Sequence, residues 1–192
     1  MSYHGELMTI RNAGFSQPYS SRHDWVHLQR GEIKPFLKTY YNEVASLADR
    51  ETYTFWEHYF GASPHKTHEE GWFLMQTRWM LYLEKGTTLE FLRGVPRSYL
   101  AGGKRIDLNG VASYFGPATL HVETSADGRR ILAHVQCTTN RRPRAVEIRL
   151  PHPAGLEPQA VKGGTYDRAT ETVRIDPFSG QAEVELVFAR AP

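Results

Sequence analysis

The chain has 192 residues, 40% of them hydrophobic and 23% charged, which excludes a disordered protein and fits one large domain or two small ones. A net charge of +2 is too small to argue for a nucleic acid or an anionic membrane surface as partner. One cysteine, Cys137, excludes an intrachain disulfide.

The first residues, Met1 to Glu6, carry no basic stretch and no apolar core, so no signal peptide is expected and the chain as it stands reads as cytoplasmic. Residues 1–30 show little further pattern. Ile33, Phe36, Leu37, Tyr40, Val44 and Leu47 then step by three or four, which predicts a helix from about Glu32 to Ala48 with one apolar stripe. Pro35 falls in its first turn, where a missing N–H costs nothing.

A second helix is predicted from about His68 to Glu84. Thr67 and Glu70 fit a capping box, with Thr67 as N-cap, and Lys85-Gly86 is a plausible stop. Its apolar residues, from Trp72 and Phe73 to Leu83, cover more than one face, as in a helix packed on several sides. Trp72 and Trp79 read as core. Gln76, Thr77 and Arg78 interrupt the apolar run, so no membrane span is expected.

The connection over residues 49–64 has no helical pattern and is dense in aromatic residues. Long connections of that kind are usually functional. Its centre sets one carboxylate, Glu57, among Tyr53, Phe55, Trp56, His58, Tyr59 and Phe60. Flat rings stack on the apolar faces of pyranoses, and a carboxylate among them can move protons. The plainer reading is a Glu57 carboxylate paired with Arg50 or Arg78 in an aromatic interface. His65, His68 and Glu69 follow closely. Their types suit a metal, but they lack the two-histidine helical face of zinc helices, so no metal is expected. Contacts to sugar hydroxyls and structural polar contacts remain open for them.

Beyond Gly86 the apolar residues alternate. Leu120 with Val122, Ile131 through Cys137, Val146 through Leu150, Val173 with Ile175, and Ala182 through Phe188 predict strands. Asp127-Gly128 is a hairpin signal, and Cys137 reads as a small buried hydrophobe. Arg141-Arg142-Pro143-Arg144 reads as a solvated turn. Gly102-Gly103 and Gly163-Gly164 read as turn glycines, and no Gly-x-Ser-x-Gly elbow occurs. The fold class is therefore α+β, with a helical segment over 1–86 and an antiparallel β-sandwich over 87–192. Two helices cannot bury their own apolar surface, so partners are expected from the β half, another chain or sequence beyond this one.

Thr52-Tyr-Thr-Phe-Trp-Glu57-His-Tyr, followed by His68-Glu-Glu-Gly-Trp-Phe-Leu, Leu89-Glu-Phe-Leu-Arg-Gly-Val-Pro-Arg-Ser-Tyr-Leu100 and Ala112-Ser-Tyr-Phe-Gly-Pro117, resembles the C-terminal end of large bacterial six-hairpin glycosidases. The likeness runs from about residue 20 to the end and is nearest to members related to inverting α-L-rhamnosidases. Those enzymes carry a Thr-x-x-Trp-Glu-Arg-Trp motif. Thr52 (or Thr54), Trp56 and Glu57 match it, while His58 and Tyr59 replace its Arg and Trp. The resemblance implies the last helices of a twelve-helix α/α toroid followed by a sandwich, and Glu57 as general base. It implies a general acid in a missing N-terminal toroid. It also implies a carbohydrate substrate touched by Trp56, His58, Tyr59, His65, His68 and Glu69, with no cofactor. A non-catalytic carbohydrate-binding or structural module, or an inactive remnant, are the other two readings. The missing toroid, or a second copy meeting the exposed helical face, is the expected protein partner.

Overall fold

The computed structural model describes residues 10–11, 14–15, 24–56 and 67–189, with the backbone alone at positions 10, 11, 14, 15, 46 and 68. The chain divides into two compact units, Met1–Leu81 and Tyr82–Pro192. Both helices and sheets are present, so the protein is α+β.

The first unit begins with a short antiparallel pair, β1 (Ile10–Arg11) and β2 (Gly14–Phe15), and continues with α1 (Asp24–Arg30), α2 (Ile33–Leu47) and α3 (Thr67–Leu81). α1 has only Trp25, Val26 and Leu28 as apolar residues, too few to set a period. α2 forms where the apolar spacing predicts it, but the buried stripe is rotated. Phe36, Thr39, Tyr40, Glu43 and Leu47 are buried, while Ile33, Leu37 and Val44 are only half-buried. The core-facing line thus includes a hydroxyl and a carboxylate.

α3 differs from expectation at both ends. Thr67 is its first helical residue, and its last is Leu81. The next four residues form β3 (Tyr82–Lys85), a hairpin partner of β4 (Thr88–Phe91) across Gly86-Thr87. A continuous apolar run fits a helix or a buried strand equally well, and pairing with β4 decides for the strand. Within this chain α3 is covered on only part of its circumference, which leaves apolar surface for the expected partner. Glu69, Gln76 and Met80 are its buried residues, whereas Leu74 is 67% exposed and Met75 40%.

The second unit holds two five-stranded sheets. The first runs β10 (Thr165–Asp167), β11 (Thr172–Ile175), β8 (Ala145–Arg149), β4, β3. The second runs β5 (Arg105–Ser113), β6 (Gly116–Thr124), β7 (Arg130–Gln136), β12 (Gln181–Phe188), β9 (Pro158–Lys162). All pairs are antiparallel except β4 with β8, which is parallel. Leu89, Glu90 and Phe91 are buried in succession, as expected of a strand covered on both faces. In the second sheet alternation is clean. Leu120, Val122, Ile131, Ala133, Val135, Val184, Leu186 and Phe188 are buried and their neighbours face outward. Each fully buried Leu, Ile or Phe contributes about 1.5–3 kcal/mol relative to exposure. The unit is sandwich-like.

Asp127-Gly128 does join β6 to β7, but within a loop spanning Ser125 to Arg129 rather than as a two-residue turn. Asp127 Oδ1 accepts from Ser125 Oγ at 2.6 Å and from the Arg129 N–H at 3.0 Å, and these bonds hold its carboxyl below the usual carboxylate range. Cys137 is buried, and Arg141 and Arg142 lie exposed in the turn before β8.

Candidate functional site

The aromatic connection starts as a built turn. Asp49 Oδ1 accepts from the N–H groups of Glu51 at 2.9 Å and Thr52 at 2.8 Å, and from the Thr52 hydroxyl at 3.0 Å. The Thr52 backbone bond is the first cause of a lowered Asp49 pKa. The Asp49 N–H donates to Thr54 O at 2.8 Å, the Tyr53 N–H to Asp49 O at 2.9 Å, and the Trp56 N–H to Leu47 O at 2.9 Å. Ala48 and Phe55 form an antiparallel bridge. The chain leaving α2 is thereby reversed within eight residues and fixed up to Trp56. Tyr53 sits at the tip with φ +58° and is 90% exposed. Phe55 is buried, its ring centroid 4.9 Å from that of Phe73. Phe73 also stacks on Tyr40 at 5.3 Å, and the Tyr40 hydroxyl lies 2.9 Å from Thr77 Oγ1. So α2, the turn and α3 share one aromatic seam, and Trp56 emerges half-buried beside it.

Of the residues expected to act on or touch a sugar, Trp56 and Glu69 are described in full. Glu57, His58, Tyr59 and His65 lie outside the described residues, and His68 is placed by its backbone in the first turn of α3. Glu69, in that same turn, is fully buried.

Sequence reasoning missed a set of polar side chains inside the helical unit. Asp24, Thr39, Glu43, Glu69 and Gln76 are all buried. Burial pushes the Asp24 carboxyl from 3.8 up to about 6, against the opposing influence of the Trp25 backbone, Gln76, Trp72 and the His27 charge. Three indoles cluster in space: Trp25 to Trp79 is 4.1 Å between centroids, and Trp72 to Trp79 is 5.3 Å, edge to face. Hydropathy alone assigns Asp and Glu to the surface. The available signal was positional, because Thr39 and Glu43 share the helix face of Phe36, Tyr40 and Leu47.

In the second unit, the outer face of the five-stranded antiparallel sheet forms an open trough of about 660 Å³. Register puts Asp107 opposite His121, His121 opposite His134, and His134 opposite Glu183, a straight row across four strands. His121 Nδ1 lies 2.8 Å from Asp107 Oδ1, and the two imidazoles stack 6.4 Å apart at 19°. Arg105 Nε is 2.9 Å from the other Asp107 oxygen. Nothing in the sequence patterns marks this row except the polar positions of the alternating strands.

Among the described residues, no group of three or more His, Cys, Asp or Glu side chains is arranged to hold a metal ion, and no helix is long and apolar enough to cross a membrane. Comparison with known protein families, curated proteins and solved structures finds no match.

Proposed function

We propose that this chain is the C-terminal portion of a glycoside hydrolase acting on an oligo- or polysaccharide, with Glu57 as general base and the general acid in a missing N-terminal toroid. The observation that carries the reading is the turn from Asp49 to Trp56. Three bonds to one Asp49 oxygen, a bridge from Ala48 to Phe55 and the Trp56 N–H bond to Leu47 fix the backbone up to the residue before Glu57. A base that must hold a water against one face of a sugar needs such pre-set backbone, because small displacements of a reacting group cost rate steeply. The neighbouring Tyr53 and Trp56 rings offer surfaces on which a pyranose stacks.

In inverting chemistry the base deprotonates water while an acid roughly 6.5–9.5 Å away protonates the leaving oxygen. A lone base leaves the leaving group unprotonated, so the isolated chain is expected to be inactive. Trp56, His58, Tyr59, His65, His68 and Glu69 are the proposed substrate contacts. The second reading, a non-catalytic carbohydrate-binding module, draws on the polar trough of the sandwich-like unit. Turnover of aryl glycosides after the chain is rejoined to the missing toroid separates the two. The hydrolase reading expects activity that Glu57→Gln removes, and full activity in that variant would sink it.

A further inference from the structure

We infer that the outer face of the second sheet is a separate binding site for a neutral glycan chain, centred on His134, Glu183 and Leu132. The inference rests on the carbohydrate reading for the class of ligand, but not on Glu57 or the aromatic turn.

A sheet face that served solubility alone would pair its charges across strands. Lys162 does so, with its Nζ 2.8 Å from Glu185 Oε2, while Arg105 is held by Asp107 along its own strand. Glu123 and Glu183 break the pattern. Both are exposed, and among the described residues neither has an ion-pair partner. Glu183 instead faces His134, whose ring stacks on His121. His121 in turn is oriented through its Nδ1 by Asp107. The row therefore ends in a carboxylate and an imidazole with free hydrogen-bonding capacity, backed by a neighbour that is already fixed.

The second feature is Leu132. It lies one row away, between Glu123 and Glu185 in register, and is 42% exposed in the middle of a polar face. Together with the imidazole faces it gives the trough an apolar patch flanked by acceptors. A pyranose has the same two-sided character, with C–H groups on one face and hydroxyls at the rim. A volume of about 660 Å³ is within the range of small-ligand sites. Strands lie about 4.8 Å apart, so a row of four spans roughly 14 Å, long enough for more than one sugar ring.

Charge narrows the class. Arg105 and Lys162 are the basic residues lining the trough, against the carboxylates of Asp107, Glu123, Glu183 and Glu185. The excess of negative charge disfavours phosphates and uronic acids, and it leaves carboxylates to accept hydrogen bonds from neutral hydroxyls.

The test is calorimetric titration of the full chain with neutral tetrasaccharides of glucose, galactose, mannose and rhamnose, with an acidic tetrasaccharide and zinc chloride as further probes. The wild type is expected to bind at least one neutral tetrasaccharide. His134→Ala/Glu183→Ala, altered on an outward face, should keep its thermal midpoint and bind that sugar at least tenfold more weakly. Failure of every neutral probe, unchanged affinity in the double variant, or preference for the acidic sugar or for zinc alone would each overturn the inference. Because binding is read without turnover, an inactive reconstituted enzyme would refute the hydrolase reading and leave this one standing.

Discussion

Arg149, on the central strand β8, places its Nη2 3.1 Å from Glu171 Oε2, and the guanidinium is almost wholly buried. Arg97 holds the other Glu171 oxygen at 2.6 Å, and Arg149 Nη1 donates to Val95 O at 3.1 Å. Burial pulls the Arg149 pKa down and Glu171 restores part of it, so the carboxylate is what keeps a buried cation tolerable. Glu171 does this from the turn before β11 with φ +55°, a backbone region rarely used by residues other than glycine. Glu171→Gln should therefore cost about 2–4 kcal/mol, since it leaves two guanidiniums facing an amide. Urea unfolding followed by far-ultraviolet circular dichroism checks this, and a loss under about 0.5 kcal/mol would contradict it.

Gly163-Gly164 reads from the sequence as a plain turn, yet the constraint is close approach. A Cβ at Gly163 would lie 1.8 Å from Glu183 O, and its φ is +83°. Gly163→Ala combines a backbone clash with an unfavourable φ and should destabilise by about 2–4 kcal/mol, well above the cost of strain alone. A thermal midpoint within a few degrees of wild type would show that β9 and β12 separate easily.

Asp24 gives a pH signature. Its folded-state pKa is raised to about 6 from 3.8, so the folded chain holds the proton more tightly than the unfolded one. Its contribution is most favourable below pH 3.8, falls as pH rises to about 6, and stays lower above that, by about 3 kcal/mol in all. Asp24→Asn should remove that slope and stabilise the helical unit at pH 7. The four tryptophans, Trp25, Trp56, Trp72 and Trp79, all belong to that unit, so their fluorescence reports its unfolding alone. A wild-type transition independent of pH between 4 and 6 would refute the assignment.

What was legible in the sequence follows from how each element is covered. β6, β7 and β12 have one buried and one exposed face, and strict alternation announces them. β4 is buried on both faces through Leu89, Glu90 and Phe91, and β5 is broken by an irregularity between Leu108 and Val111, so neither shows a period. Tyr82–Glu84 reads as part of the preceding helix because Trp79–Leu83 is one apolar run. The candidate site was partly legible. Aromatic density marked the turn at Asp49–Trp56, but the network around Asp49 Oδ1 depends on backbone geometry that composition does not carry. The buried carboxylates of Asp24 and Glu43 were invisible because residue type pointed outward and only position pointed in.

The exposed part of α3 bears on assembly. Leu74 is 67% exposed and Met75 40%, adjacent apolar side chains on one helix. If this surface meets the proposed N-terminal toroid or a second copy, the isolated chain should self-associate in light scattering, and Leu74→Lys/Met75→Lys should return it to a monomer. A monomeric wild type at high concentration would remove α3 as an interface.

The turn itself offers a test of the proposed chemistry that does not alter Glu57. Asp49→Ala deletes the acceptor for the Glu51 and Thr52 N–H groups and for the Thr52 hydroxyl. Asp49 is on the surface, so the fold should be kept. The backbone leading to Trp56 and Glu57 should lose its fixed course. In the reconstituted enzyme a misplaced base should lower kcat by about 10- to 100-fold with a smaller effect on KM, because substrate binding through the rings survives while the water is no longer held in line. Asp49→Asn keeps one acceptor oxygen at the same place and should recover most of the rate. Equal activity of Asp49→Ala and wild type would detach the built turn from catalysis, and equal loss in Asp49→Ala and Asp49→Asn would point to the charge of Asp49 in place of its hydrogen bonds.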